Sequence, residues 1–319
     1  MYVGGASSVY LLQMIVTLTG ENDVLRQEAL RKLTADFIVE HGDMAVERLD
    51  GEEAEYARMH EAAQSLPFLA PRKLIILRTP GANKDFTEKF AQFLGDVAET
   101  NDVVLVEPKL DKRLSYYKQL KKDTDFREFK LLDGPQLANY LIGYARGQGG
   151  MLSSGDARTL IDRVGTNQLT LQHEVDKLLA YDPKITRASI ELLTDRTPQS
   201  NIFELLDAAF ASNTKKAMAL YDEQRAARAE PQQIIAMLVW QLHILAIVKA
   251  AGQKSADTVA KEAKLSPFTV RKTQNLARNI TLAKLKQLIT SLREFDVQSK
   301  TEALNLDEML RFYLLEIAR

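Results

Sequence analysis

Two rhythms of hydrophobic and polar positions run along this chain, and the change between them falls near residue 133. Before it, short β-branched apolar runs alternate with longer segments whose apolar residues recur at helical spacing. Residues 14–19 (MIVTLT) predict a strand, and Gly20-Glu21-Asn22-Asp23 a turn. Residues 24–40 place Leu25, Ala29, Leu30, Leu33 and Phe37 on one helical face, with Asn22 or Asp23 available as a cap. A second strand is expected at 46–49, a helix over 52–64, and a buried strand at 74–77 closed by Arg78 and the turn-forming Pro80-Gly81. A helix over 86–100 carries Phe86, Phe90, Phe93, Leu94 and Val97. Residues 102–107 (DVVLVE) are the cleanest buried strand in the chain, 110–122 a helix with a basic face, and 127–131 a last strand. Strands alternating with helices predict a parallel sheet covered on both faces.

After Asp133-Gly134-Pro135 the strand pattern stops. Helices are expected at 136–147 and 153–164, the second ended by Gly165. Another over 171–180 is capped by Asn167 or Thr170 and broken at Tyr181-Asp182-Pro183, and Thr186 caps a short helix to Leu193. Residues 197–200 (TPQS) read as a linker. Everything beyond is helical: 202–210, 214–228, 231–250, 256–263, 267–279, 281–299 and 305–318. The most apolar stretch, 234–248, contains Gln241 and His243 and reads as too short to span a bilayer. It predicts a buried helix with His243 as a hydrogen-bonded core residue. The plan is an α/β domain at 14–133, a small helical domain at 134–197 and a helical bundle at 198–319. Residues 1–13 lack the basic start and long apolar core of a signal peptide. They read as an upstream extension or an artefact ahead of a natural start at Met14.

Composition narrows the class. A length of 319 residues suits two or three domains, and 45% hydrophobic with 27% charged residues is globular. Lys+Arg total 42 against 43 Asp+Glu, a net charge of -1. A freely binding nucleic-acid protein is usually more basic, so any DNA contact must come from a local patch or a shared assembly. There is no cysteine, hence no disulfide framework and no Cys-ligated zinc, which suits a cytosolic protein.

One stretch does not fit a plain strand–helix alternation. Ser65-Leu66-Pro67-Phe68-Leu69-Ala70-Pro71-Arg72-Lys73 puts three large apolar residues around and between two prolines, immediately before the strand at 74–77. Proline fixes its own φ and disfavours helix in the residue before it, so this link is short and stiff. It can be a plug in the protein's own core, or a peg whose pre-ordered anchors cost little entropy when a partner docks.

An α/β domain followed by a small helical one suggests an AAA+ architecture, and the phosphate loop tests whether it is active. A working loop needs G-x-x-x-x-G-K-[ST]. After the first strand this chain has Gly20-Glu21-Asn22-Asp23-Val24-Leu25-Arg26, with two acids where phosphates would lie and no Lys-Ser/Thr. Gln253-Lys254-Ser255 follows a helix, not a strand, and does not qualify. Glu107 stands where a Walker B acid would, but Pro108 follows it and no Asp adjoins it. It reads as a solvated or capping acid. His41, His60, His173 and His243 are scattered, and His173-Glu174 reads as an exposed helix pair. Asp123 and Asp125 are a common turn pair. The basic run Lys109, Lys112, Arg113, Lys118, Lys121, Lys122 is either a solvated face or a surface for phosphate or an acidic partner. Residues 258–272 look like a helix-turn-helix, whose second helix, with Arg271 and Lys272, would read a major groove. The same pattern also recurs in helical bundles with no DNA role.

The order of these features resembles the delta subunit of the bacterial DNA polymerase III clamp loader, along nearly the whole chain from Met14. The resemblance is carried by Gly20-Glu21-Asn22, by Ser65 through Leu74, and by Val103-Val104-Leu105-Val106-Glu107-Pro108-Lys109-Leu110-Asp111-Lys112-Arg113. It continues through Val164-Gly165-Thr166-Asn167, Glu174-Val175-Asp176-Lys177-Leu178, Asn201-Ile202-Phe203-Glu204-Leu205-Leu206-Asp207-Ala208, Met237-Leu238-Val239-Trp240-Gln241 and Asp296-Val297-Gln298-Ser299-Lys300. It implies an AAA+-like domain without a working P-loop, a small helical lid and a C-terminal collar for oligomerisation. It implies no cofactor and no catalytic site in this chain, which would serve within a DNA-directed DNA polymerase holoenzyme, a nucleotidyltransferase. It also implies that Phe68 and Leu69, supported by Leu66, insert into a pocket on the sliding clamp. The implied partners are the clamp, the ATPase and delta-prime-type subunits of the loader, and primed DNA within the assembly, with no membrane. Lys109, Lys112, Arg113 and Lys118 are candidate DNA or partner contacts. The expected location is the cytoplasm, at replication forks on the nucleoid. Two other readings stay open at this point, an active AAA+ ATPase and a helix-turn-helix DNA-binding regulator.

Overall fold

The computed structural model describes residues 13–68, 70–301 and 305–318. The chain divides into two compact units, 1–132 and 133–319.

The first unit runs β1 (Ile15–Thr19), α1 (Asp23–His41), a 3-10 turn, β2 (Val46–Asp50), α2 (Tyr56–Gln64), β3 (Lys73–Arg78), α3 (Lys84–Glu88), α4 (Phe90–Asp96), β4 (Asn101–Glu107), α5 (Ser115–Asp123) and β5 (Asp125–Glu128). The strands form one parallel sheet in the order β2-β3-β4-β1-β5. All seven residues of β4 are buried, as expected of a central strand in a sheet covered on both sides. Alternation sends Ile75, Leu77, Val103 and Leu105 to one face, where Met59, Phe86, Phe90, Phe93, Tyr116 and Leu120 cover them. Leu74, Ile76, Val104 and Val106 point the other way, against Leu30 and Phe37 of α1. This is the α/β domain with a parallel sheet that the sequence predicts.

Some elements start later than their patterns suggest. The helix expected from 52 begins at Tyr56, because Asp50 Oδ1 accepts from Glu52 N–H (3.0 Å) and holds a turn. The helix expected from 110 begins at Ser115, after Asp111 Oδ1 takes Arg113 N–H (3.0 Å). Asx turns of this kind compete with helix at the backbone. The helix expected over 86–100 is two short ones that meet at Lys89 and end at Asp96, and the last strand sits at Asp125–Glu128 instead of 127–131. Gln13 belongs to this unit: its Nε2 donates to the carbonyls of Val97, Ala98 and Asn101 (3.3, 3.0 and 3.2 Å).

The second unit contains α6 (Gly134–Gly147), β6 (Met151–Leu152), α7 (Ser154–Val164), α8 (Gln168–Tyr181), β7 (Lys184–Ile185), α9 (Arg187–Leu193), α10 (Pro198–Phe210), α11 (Thr214–Ala226), α12 (Pro231–Ala250), α13 (Ala256–Ala263), α14 (Pro267–Arg278), α15 (Leu282–Thr301) and α16 (Leu306–Ile317). Strands do recur here: β6 and β7 pair in parallel, Met151 with Lys184 and Leu152 with Ile185. Two residues carry no readable period, so pattern alone misses them. The expected linker at 197–200 is instead a helix start. Thr197 caps α10 by accepting from Ser200 N–H (3.2 Å), and Pro198 takes the first turn. Thr197 N–H to Arg163 carbonyl (3.0 Å) and Ser200 Oγ to Asp162 carbonyl (2.8 Å) bind this start to α7.

Helix α12 corrects two expectations. At 20 residues it is long and apolar enough to cross a membrane by length and composition, yet Ile234, Leu238, Leu242 and Leu245 are buried in the core of the unit. His243 is exposed; Gln241 is the buried polar residue, donating to Thr273 Oγ1 (3.3 Å). Two positions apart on a helix is about 200° of rotation, enough to swap core for solvent.

Candidate functional site

The stretch between α2 and β3 is braced at both ends and open at its tip. Ser65 caps α2, its N–H donating to Glu61 carbonyl (2.9 Å) and its Oγ to Ala62 carbonyl (3.0 Å). Asn101 Nδ2 donates to the carbonyls of Ala63 (2.8 Å) and Ser65 (2.9 Å). Lys73 Nζ donates to Ser65 Oγ (2.7 Å) and pairs with Glu47 (2.6 Å). On the far side Arg72 clamps Asp102 with a fork, Nε to Oδ2 at 3.1 Å and Nη2 to Oδ1 at 2.6 Å. Between these anchors Leu66 is 74% and Phe68 92% exposed. The chain at 66–68 is non-helical, which answers how the two prolines shape it. Leu69, the other anchor expected from the sequence, lies outside the described residues.

The exposed Leu66 and Phe68 have company that the sequence reading missed. Val39 in the last turn of α1 is 89% exposed, and Met44, just ahead of β2, is 84% exposed. Among the described residues, these two with Phe68 and Leu66 are the most exposed large hydrophobics. All four lie at one edge of the sheet, where the strands begin: Val46 pairs with Leu74, and Phe37, Ala45 and Ala70 pack into the same cluster. The only sequence signal was position. Val39 sits off the buried stripe of α1, and an isolated exposed apolar residue ordinarily needs no explanation.

At the opposite edge, where β1 and β4 end, lies the crevice in which α/β sheets ordinarily hold ligands. Here the protein's own groups fill it. Gly20 has φ +110°, and a Cβ there would lie 2.2 Å from Phe129 carbonyl oxygen. Asn22 caps α1, its Oδ1 taking Leu25 N–H (3.1 Å), so this first-turn amide is not free for a phosphate. The Arg26 guanidinium, 5% exposed, folds back onto Gly20 carbonyl and the Asp23 carboxylate. Glu107 is 2% exposed, so of the two expectations, a solvated or a capping acid, the solvated one falls. Its Oε1 accepts from Gly81 N–H (2.6 Å) and Tyr116 Oη–H (2.9 Å). Burial pushes this carboxyl up to about 7, against the pull of those two donors.

Residues 17–130 match the family described as DNA polymerase III, delta subunit, and residues 199–317 match the DNA polymerase III delta subunit, C-terminal domain. The chain belongs to the DNA polymerase III delta subunit family. It is 24% identical to DNA polymerase III subunit delta of Bacillus subtilis, over 97% of this chain and 90% of that protein. The solved structure of the Bacillus subtilis DNA clamp loader delta protein shares the fold. The TM-score is 0.74 at 22% identity, over 96% of each chain.

The remaining delta-subunit candidates divide by what they touch. Lys109 and Lys118 are exposed. Lys112 pairs with Glu128 (2.7 Å) and Arg113, 88% exposed, with its neighbour Asp111 (2.6 Å), so half of this set is engaged within the chain. The helix-turn-helix look-alike is α13 and α14, turned at Lys264 in a left-handed conformation (φ 55°). Its would-be reading residues are engaged elsewhere. Arg271 pairs with Asp257 (2.9 Å) and approaches Asp133 (3.6 Å). Lys272 lies over the Phe203 ring (4.8 Å) and near Asp162 (3.8 Å), and burial lowers its pKa. Within this unit, α14 is a brace against α7 and α10. Among the described residues no cluster of His, Asp or Glu is placed to hold a metal ion.

Proposed function

We propose that this delta-family chain binds the sliding clamp and opens it for loading on primed DNA, without hydrolysing ATP itself. The observation that carries the reading is the peg: Phe68, 92% exposed, on a loop tied down by Arg72–Asp102, Asn101 and Lys73. A solvent-facing Phe on a braced loop contributes nothing to this fold, and it is pre-ordered to fill an apolar pocket at small entropic cost. Leu66 and Leu69 dock beside it, and Val39 with Met44 extend the apolar contact along the same sheet edge. With the peg seated in one clamp protomer, the neighbouring surface presses on the ring's interface and the ring relaxes open. The absence of an ATP step in this chain is supported by the filled crevice around Gly20, Arg26 and Glu107.

In this reading residues 14–133 are the AAA+-like clamp-binding domain, 134–197 the lid and 198–319 the collar. The collar joins the ATPase and delta-prime-type subunits, which regulate when the peg is presented, at replication forks. Lys109, Lys112, Arg113 and Lys118 face DNA or a partner subunit in the assembly. The test is ring opening: a cognate clamp labelled across its interface, or closed on nicked circular DNA, is mixed with wild type or Phe68→Asp. Wild type opens or unloads the ring and the folded variant does not. Equal activity of the variant rejects the reading.

A further inference from the structure

The first unit has eight arginines: Arg26, Arg31, Arg48, Arg58, Arg72, Arg78, Arg113 and Arg127. Five of them, Arg26, Arg58, Arg72, Arg113 and Arg127, are ion-paired to a carboxylate. Among the described residues the other three, Arg31, Arg48 and Arg78, have no such pair, and all three line one groove of about 380 Å³ between α1 and the β2–β3 edge. Chain separation hides this. Arg31 stands on α1, Arg48 pairs in register with Ile76, and Arg78 lies two residues beyond Ile76 on the same face of the sheet. No carboxylate lines the groove; its other walls include Gln27, Leu30 and Ile76. Asp50, the register neighbour of Arg78, has its Oδ1 turned to Glu52 N–H (3.0 Å).

Three guanidiniums lining one groove, none of them in an ion pair with a carboxylate among the described residues, repel one another, an arrangement that an incoming anion relieves. Their planar forks match phosphate oxygens two at a time. The groove opens along β2, the edge strand of the sheet, so a polymer can run through it. No aromatic ring lines it, hence there is no platform for stacking a base. We propose that the groove formed by Arg31, Arg48 and Arg78 binds the phosphodiester backbone of DNA, independently of base sequence and apart from the clamp-binding edge. It is a second, electrostatic contact of this subunit with the nucleic acid on which the clamp is placed. The residues differ from the basic set on and before α5.

The test uses the full chain and a fluorescein-labelled DNA duplex, with anisotropy read from about 50 to 200 mM salt, where backbone contacts are most visible. The triple variant Arg31→Ala/Arg48→Ala/Arg78→Ala is expected to bind at least about tenfold more weakly at the low-salt end. Its plot of log affinity against log salt flattens by about 0.9 for each phosphate that is no longer neutralised. The three side chains are exposed, so the variant should melt with wild type. Arg48→Ala alone gives the same readout at about one third of the scale if the triple variant does not fold. The triple Lys variant keeps the slope and has part of the affinity, because charge remains while the fork is gone. Unchanged affinity and slope in the Ala variants overturn the proposal. So does a wild type that binds no duplex at low salt, or displacement by polyaspartate as effective as by unlabelled DNA of equal charge, which would mark an acidic-peptide site.

Discussion

Phe68→Ala separates a binding residue from a structural one. At 92% exposure the ring makes almost no contact within the chain, so truncating it should change folding stability by no more than about 0.5 kcal/mol. In the proposed role its value appears only on docking. Complete burial of a Phe side chain is worth roughly 2–3 kcal/mol at about 25 cal/mol per Å². At about 1.4 kcal/mol per factor of ten, losing it weakens binding roughly thirty- to hundredfold. The assay is surface plasmon resonance of the full chain over immobilised cognate clamp, with thermal melting on the same samples. The expected result is a faster off-rate with an unchanged melting curve. Two outcomes refute the reasoning: a variant that binds as tightly as wild type, or one that melts several degrees lower, which would place Phe68 in the core.

Three further outcomes follow from the same geometry. Glu107 has its folded pKa raised to about 7 from 4.5, so the folded state holds a proton that the unfolded state has already lost between those values. Stability is then full below about pH 4.5 and falls as pH rises toward 7, by up to roughly 3 kcal/mol. Glu107→Gln should flatten that limb in urea melts at pH 5, 6 and 7, and parallel curves for the two proteins would contradict it. Gly20→Ala places a Cβ against Phe129 carbonyl at a φ of +110° and should cost more than about 2 kcal/mol by chemical denaturation; a neutral result would mean the turn relaxes freely. Arg72→Ala leaves the buried Asp102 carboxylate without its counter-charge, with only Met14 N–H (2.8 Å) still donating to it, which should cost about 3 kcal/mol in stability. It should also weaken clamp binding without touching the clamp, by releasing the base of the peg. Unaltered hydrogen exchange on either side of the peg in this variant would argue against bracing.

Much of this protein is determined by the sequence alone, for local reasons. Residues 14–19, 74–77 and 102–107 are too apolar and β-branched to be anything but buried strands, and the order of strand and helix dictates a parallel sheet. Asn22 caps α1 because its side chain reaches its own helix's amides, and Gly165 ends α7 at a φ of 95° that a side chain would resist. The missing Gly-Lys-Ser/Thr after β1 is equally legible. Tertiary structure decided what depends on residues far apart. Whether Leu66 and Phe68 are plug or peg turns on the surfaces around them, since a Pro-bounded apolar run is the same string in either place. Glu107 became a buried acid only when the fold closed over it, with Gly81 and Tyr116, 26 and 9 residues away, donating to its carboxylate. His243 and Gln241 exchanged faces through the rotation of one helix. Strands β6 and β7, two residues each, exist only because α7 and α8 bring their segments side by side. Arg31, Arg48 and Arg78 look like ordinary surface charges along the chain, and only the packing of α1 on β2 and β3 gathers them into one groove.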